Sequence, residues 1–164
     1  MSVRTLAAKA GFSASFISQV ENDQASPSIA SLERIASAVG VSLVEFFGAD
    51  SLGAPAIVRP GGRRNLTSAW SRAGIEALSG PGSGVDAVMI TLAPGGRSSS
   101  QPHSHKGDEF AIVFEGELTL TLGESTNVLQ RGDAISFSSA TPHRWSNEGS
   151  EPAQLLIAST RFSH

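Results

Sequence analysis

The sequence contains no cysteine, which excludes disulfides, thiolate metal sites and cysteine nucleophiles together. Long apolar runs are missing as well, and no stretch approaches the roughly 18–20 residues a membrane helix needs. The opening MSVRTLAAKAG has none of the apolar core of a secretory leader. A surplus of basic charge is also lacking, since 12 Lys and Arg face 15 Asp and Glu for a net of −3. The first fifty residues carry Arg4, Lys9 and Arg34 against Glu21, Asp23, Glu33, Glu45 and Asp50, a net of −2. A nucleic-acid-binding module ordinarily shows a basic footprint, and this segment does not. No tandem repeat or low-complexity tract interrupts the chain, and the Gly/Ser run from Ser79 to Gly84 reads as a surface turn. The hydrophobic fraction of 40% is ordinary for a globular protein. These features lead to the expectation of a soluble, cytoplasmic protein.

What is present changes character near residue 48. Before it, the pattern is helical. Leu6, Ala7 and Ala10 recur at helix spacing, and Gly11 suits the position just past a helix end. Ser13 can cap a second helix running to about Asn22, with Phe12 packing on Ile17 as a hydrophobic staple. Ser28 can cap a third, with Ile29, Leu32, Ile35, Ala36 and Val39 on its apolar side and Gly40 at its end. Ser42 and Glu45 form a capping box for a fourth. After residue 48, Gly and Pro punctuate short β-type runs: Val85 to Leu92, Glu109 to Phe114, Leu118 to Leu122, Ala134 to Phe137 and Gln154 to Ala158. Short strands at that spacing predict an all-β sandwich or barrel. The expected organisation is multidomain α plus all-β: a helical domain over residues 1–47, a linker over 48–55 and a β domain over 56–164.

Two short helices joined by a glycine-containing turn form a DNA-reading unit. Here Val3 to Ala10 and Ala14 to Asn22 fill those places. The second would enter the major groove, presenting Ser13, Ser15, Ser18 and Gln19, while Phe16, Ile17 and Val20 face the core. Gln19 can pair bidentately with adenine. The string LAAKAGFSASFISQVENDQASPSIASLERIASAVGVSLVEFF resembles the lambda-repressor-like, or XRE-type, helix-turn-helix family over about residues 2–47. The resemblance implies double-stranded operator DNA as a partner, against the plainer reading of a helical bundle with no DNA role. It also implies five helices, one of them preceding the segment that begins at Met1. The expectation is therefore a start upstream of Met1 or a trimmed chain, with Leu6, Ile35 or Val39 partly uncovered.

The β half carries three of the four histidines in a pattern. Gly96 to Gly116 reads G-x6-H-x-H-x3-E-x6-G, placing His103, His105 and Glu109, and His143 follows within Gly132 to Asn147. On a strand, alternate residues share a face, so His103 and His105 can point together into a barrel. Glu109 arrives after the Lys106-Gly107 turn, and His143 comes from a facing strand. Three neutral imidazoles and a carboxylate suit a divalent transition ion: zinc, iron, manganese, nickel or copper. The alternative is a set of solvated or hydrogen-bonded histidines.

These two segments resemble the signature motifs of the cupin superfamily, and the resemblance covers about residues 55–162. It implies a double-stranded β-helix, or jelly-roll barrel, with His103, His105, Glu109 and His143 as metal ligands. The first motif has one extra residue before His103, and the second has Ser138 in place of proline and Ala140 in place of glycine. Alternation adds Gln101, Ala111, Val113 and Trp145 as candidates for the wall of a ligand pocket, against plain barrel packing. His164 reads as an unpartnered terminal residue.

A helix-turn-helix reader joined to a cupin barrel resembles a one-component transcriptional regulator. The resemblance implies a homodimer on pseudo-palindromic DNA and a small-molecule effector in the barrel, with an amino acid, sulfur compound or polyamine as first guesses. No catalytic residue is expected on that reading. The alternative is a metal-dependent cupin enzyme of dioxygenase or epoxidase type, since hydroxypropylphosphonate epoxidases share this layout.

Overall fold

A computed structural model of the chain describes residues 1–46, 57–80 and 83–160. The expected linker and His164 lie outside the described residues. The change of period appears as four α-helices and a single 3-10 turn (Pro60–Gly62) followed by nine strands among the described residues. The helices are α1 (Val3–Ala10), α2 (Ala14–Glu21), α3 (Ile29–Val39) and α4 (Leu43–Phe46).

Local chemistry sets their ends. Ser13 Oγ accepts the Phe16 N–H at 3.1 Å and Ser28 Oγ accepts the Ser31 N–H at 3.2 Å, each satisfying one orphan donor of a first turn. The Ser42–Glu45 capping box closes in both directions, at 2.9 and 3.1 Å. Gly11 ends α1 with φ of 68°, and a Cβ there would run into the Arg34 guanidinium. Two details differ from the sequence expectation. Asn22 caps α2 instead of extending it, and the ring of Phe12 meets that of Phe16 at 4.8 Å while packing on the cluster that contains Ile17.

The strands are β1 (Asn65–Ser68), β2 (Ala73–Ala77), β3 (Val85–Leu92), β4 (Asp108–Glu115), β5 (Glu117–Leu122), β6 (Ser125–Gln130), β7 (Ala134–Ser138), β8 (His143–Ser146) and β9 (Ala153–Thr160). They form a six-stranded sheet in the order β1-β2-β3-β9-β4-β7 and a three-stranded sheet in the order β6-β5-β8. Every pairing is antiparallel. Ile75, Ile90, Leu92, Val113, Leu118, Leu120, Trp145 and Leu155 are buried in one core cluster drawn from both sheets. The expected strand through His103 and His105 does not form. That segment is irregular, pairing with β8 through isolated bridges at Arg97–Ser146 and His103–His143 and through hydrogen bonds between Ser98 and Trp145. Gly107, with φ of 119°, then turns the chain into β4.

The two halves are packed together. Ile29 and Leu32 of α3 and Val44 of α4 belong to the same buried cluster as the barrel. Each such side chain adds on the order of 1.5–3 kcal/mol by leaving water, so this is a packed junction. Polar ties reinforce it. Ser26 Oγ accepts the Ala69 N–H at 3.0 Å, and the Ala30 N–H donates to the Ser98 carbonyl at 3.4 Å. The other side of α3 serves the helical cluster, where Ile35 packs with Ala7, Ala10 and Ile17. Ile35, expected to be partly uncovered, is only 4% exposed because α1 lies over it, whereas Val39 is 40% exposed.

Candidate functional site

His103, His105 and His143 converge at the end of the barrel, each offering a ring nitrogen within 4.8 Å of the others. Backbone pairing sets them there. The His103 N–H donates to the His143 carbonyl at 3.1 Å and the His143 N–H returns the bond at 2.9 Å. The His105 N–H donates to the Ser139 carbonyl at 3.0 Å. Glu109 enters from β4, with Oε2 at 3.2 Å from His105 Nε2 and 3.3 Å from His143 Nε2. The Ser139 hydroxyl donates to the same oxygen at 3.2 Å.

The outer contacts orient the rings. His143 Nδ1 lies 2.9 Å from the Thr141 carbonyl, and His105 Nδ1 lies 3.1 Å from the Lys106 carbonyl. A carbonyl only accepts, so both Nδ1 atoms carry protons and, in the neutral ring, Nε2 keeps a lone pair toward the centre. His103 differs. Its Nε2 faces Glu33 Oε2 of α3 at 3.0 Å, and its buried Nδ1 has no hydrogen-bond partner.

The charges interlock. Burial opposes ionisation of His105, but the adjoining Glu109 carboxylate and then the charge of Glu33 outweigh it and raise its pKa to about 9. Burial likewise opposes ionisation of Glu109, and the two neighbouring imidazoles outweigh it, lowering its pKa to about 2. His143 is also pulled upward, with burial opposed chiefly by Glu109. A buried carboxylate among imidazoles is thus held ionised by charges it faces.

This donor set fits a divalent transition ion. Its nitrogens and carboxylate are of the right softness. Buried ring nitrogens without partners are rare in folded proteins, and His103 Nδ1 is in that condition.

The expected pocket residues divide. Ala111 and Val113 share the inward face of β4 with Glu109 and are buried in the core. Trp145 follows His143 on the inward side of β8 at 1% exposure, and its buried Nε1–H has no hydrogen-bond partner. Gln101 does not join them. It is exposed, because its segment never becomes the strand whose alternation placed it inside. Two concavities on the barrel, of about 310 and 280 Å³, are lined by none of the three histidines.

On the helical side, Ser13, Ser15, Ser18 and Gln19 are all exposed, while Ile17 is buried and Phe16 and Val20 are half-buried. Ser13 Oγ is engaged as the cap, and Gln19 Nε2 donates to Ser15 Oγ at 3.4 Å. Arg4 and Lys9 are exposed on the neighbouring α1. Glu33, Ser139 and Arg34 were not singled out from sequence. Glu33 lies 70 residues from His103, and no local spacing signals such a contact. Arg34 Nη2 donates to the Gly11 carbonyl at 3.1 Å and its guanidinium lies 4.3 Å from the Phe12 ring centre.

A capped helix pair with a polar outer face, packed on a jelly roll that gathers three histidines, defines a helix-turn-helix protein with a cupin domain. Family models agree: helix-turn-helix matches residues 1–46, and the cupin domain matches residues 88–159. The chain belongs to the XRE-type helix-turn-helix regulators that carry a C-terminal cupin domain. It is 27% identical to the HTH-type transcriptional regulator PuuR of Escherichia coli over 164 residues, covering 98% of this chain and 87% of that one. A crystal structure of an HTH_3 family transcriptional regulator from Vibrio cholerae matches with a TM-score of 0.74 and 26% identity, covering 99% of this chain and 88% of that one. Hydroxypropylphosphonic acid epoxidase from S. wedmorenis shares the fold, at a TM-score of 0.56 and 20% identity, over 97% of this chain and 89% of that one.

Proposed function

We propose that this chain is a sequence-specific DNA-binding transcriptional regulator whose cupin barrel binds a divalent metal and a small metabolite. The observation that carries this reading is the attachment of an exposed polar helix face to a barrel that gathers three imidazoles and a buried carboxylate. Ser13, Ser15, Ser18 and Gln19 would contact the operator, with Gln19 the base-reading member. His103, His105, Glu109 and His143 would hold the ion. When bound, the metal supplies a Lewis-acidic anchor for a ligand's oxygen or nitrogen atom. Trp145 would offer its indole N–H to the same ligand, and Ala111 and Val113 would bound it with apolar surface.

Regulation requires that the ligand bind one domain arrangement better than another. The packed junction between α3 and the barrel is the element such a preference would act on. A homodimer fits both ends of the molecule. Paired readers match pseudo-palindromic half-sites, and the outer face of the six-stranded sheet exposes Phe110 at 42% and Phe114 at 59%. An amino acid, a sulfur compound or a polyamine remains the first class of effector to try.

A second reading, a metal-dependent oxygenase, is favoured by one observation: the epoxidase shares the layout of helical unit and barrel. The experiment that separates the two uses the full chain loaded with iron(II) or manganese(II). It is offered the DNA upstream of its own gene in a mobility-shift titration and, separately, candidate substrates in an oxygen electrode. Specific retardation of that DNA without oxygen uptake is the expected result. Turnover without DNA binding would reverse the assignment.

A further inference from the structure

The helical domain reaches into the histidine cluster. Glu33 of α3 places Oε2 3.0 Å from His103 Nε2, with the two side chains 30% and 17% exposed. One carboxylate from the reader half therefore contacts the imidazole cluster at His103.

Its position is set by packing. Ile29, one turn before it, and Leu32, the preceding residue, are buried against the barrel. The Ala30 N–H bonds to the carbonyl of Ser98, five residues before His103 on the same segment. The chemistry of the ring gives the contact a meaning. The Glu33–His103 distance is that of a hydrogen bond, so the carboxylate holds the imidazole through Nε2 and leaves the buried, unpartnered Nδ1 free to meet an ion.

We propose that Glu33 is an inter-domain positioning residue of the metal site, orienting His103 from α3 so that ion binding and the seat of α3 on the barrel depend on each other. This rests on the reading of His103, His105, Glu109 and His143 as a metal site. The consequence reaches the reader through the next residue. Arg34 bonds the Gly11 carbonyl and covers Phe12, and Gly11 and Phe12 form the turn between α1 and α2. Two consecutive residues of α3 thus join the barrel site to the turn that aims the reading helix.

The test uses the full-length chain stripped with a chelator and titrated with zinc(II) and manganese(II) against a competing metal indicator. Wild type is compared with Glu33→Gln, Glu33→Ala and Glu109→Gln, while hydrogen exchange follows the α3 amides with and without zinc. Glu33 is partly exposed, and glutamine keeps its shape, so the fold is retained and circular dichroism checks it. Both Glu33 variants should bind metal at least ten-fold more weakly, within or beyond the 10–100-fold range typical of supporting groups around a metal. Zinc should slow α3 exchange in wild type and leave it unchanged in the variants. Equal or tighter metal binding in both Glu33 variants would overturn the assignment while leaving the metal site standing, because Glu109→Gln would still bind weakly. A wild-type chain that takes up neither ion would remove the metal site and the role of Glu33 together.

Discussion

Glu109 is 5% exposed and still carries its negative charge, because His105, His143 and the Ser139 hydroxyl surround it. The same arrangement makes the cluster sensitive to pH. His105, raised from 6.5 to about 9, stabilises the metal-free fold fully below pH 6.5 and loses that contribution as pH rises through 9. Glu109, lowered from 4.5 to about 2, contributes above pH 4.5 and loses its share as pH falls toward 2. The melting temperature of the metal-free chain should therefore decline between pH 6.5 and 9, and Glu109→Gln should flatten that decline. A decline of the same size in the variant would place its origin elsewhere. Metal must displace those protons, so zinc binding at pH 7 should release protons into a weakly buffered solution. Replacing His103 and His105 together by alanine should abolish metal in elemental analysis and leave the β-sheet circular dichroism intact. Metal content equal to wild type would remove the proposed site.

At the scale of elements, the proposed function would divide the labour between base contact by α2 and transmission by α3. Gln19 is exposed on the face of α2 that Ser15 and Ser18 also occupy. Gln19→Ala should relax base preference by about 1–3 kcal/mol, measured as the ratio of affinities for operator and point-mutated operator. An unchanged ratio would exclude Gln19 from base reading. For α3, the cap is Ser28, whose Oγ holds the Ser31 N–H. Ser28→Ala should cost about 1 kcal/mol in urea unfolding, with no loss expected if the first turn were held by packing alone. Caps were legible from sequence because they join residues three apart. The strands were legible only in part. β3, β4, β5, β7 and β9 carry apolar runs, whereas β1 and β8 have four residues each and β2 and β6 carry few large apolar side chains. β6 is exposed at five of six positions, and β8 reads HRWS. Such segments become strands because a neighbour pairs with them, and periodicity does not record that.

For the whole molecule, the unpaired face of the six-stranded sheet predicts association. Phe110 and Phe114 stand on one side of β4, and Phe110 is in register with Ala158 of β9 and Ser136 of β7. Phe110→Glu with Phe114→Glu should shift the chain to monomer in sedimentation and weaken operator binding, since two readers would no longer be joined. A dimer of wild-type strength in that variant would place the interface on another surface. The bias toward acid in the first fifty residues also acts at this scale. With few exposed cations beside α2, phosphate attraction would be small on the proposed function, and specificity would fall on polar contacts to bases.

The order of residues by itself determined the helix caps at Ser13, Ser28 and Ser42, the turn at Gly11, the change from helical to strand period, and the His-x-His, Glu and His set that resembles a cupin site. Each of these rests on neighbours a few residues apart or on a recognisable spacing. Tertiary structure alone decided that α3 is shared between two apolar clusters, that Ile35 is covered, that Gln101 faces out, and that Glu33 meets His103 across 70 residues. Those outcomes follow from which apolar faces find each other when the chain closes, and contacts made that way leave no periodic trace in the sequence.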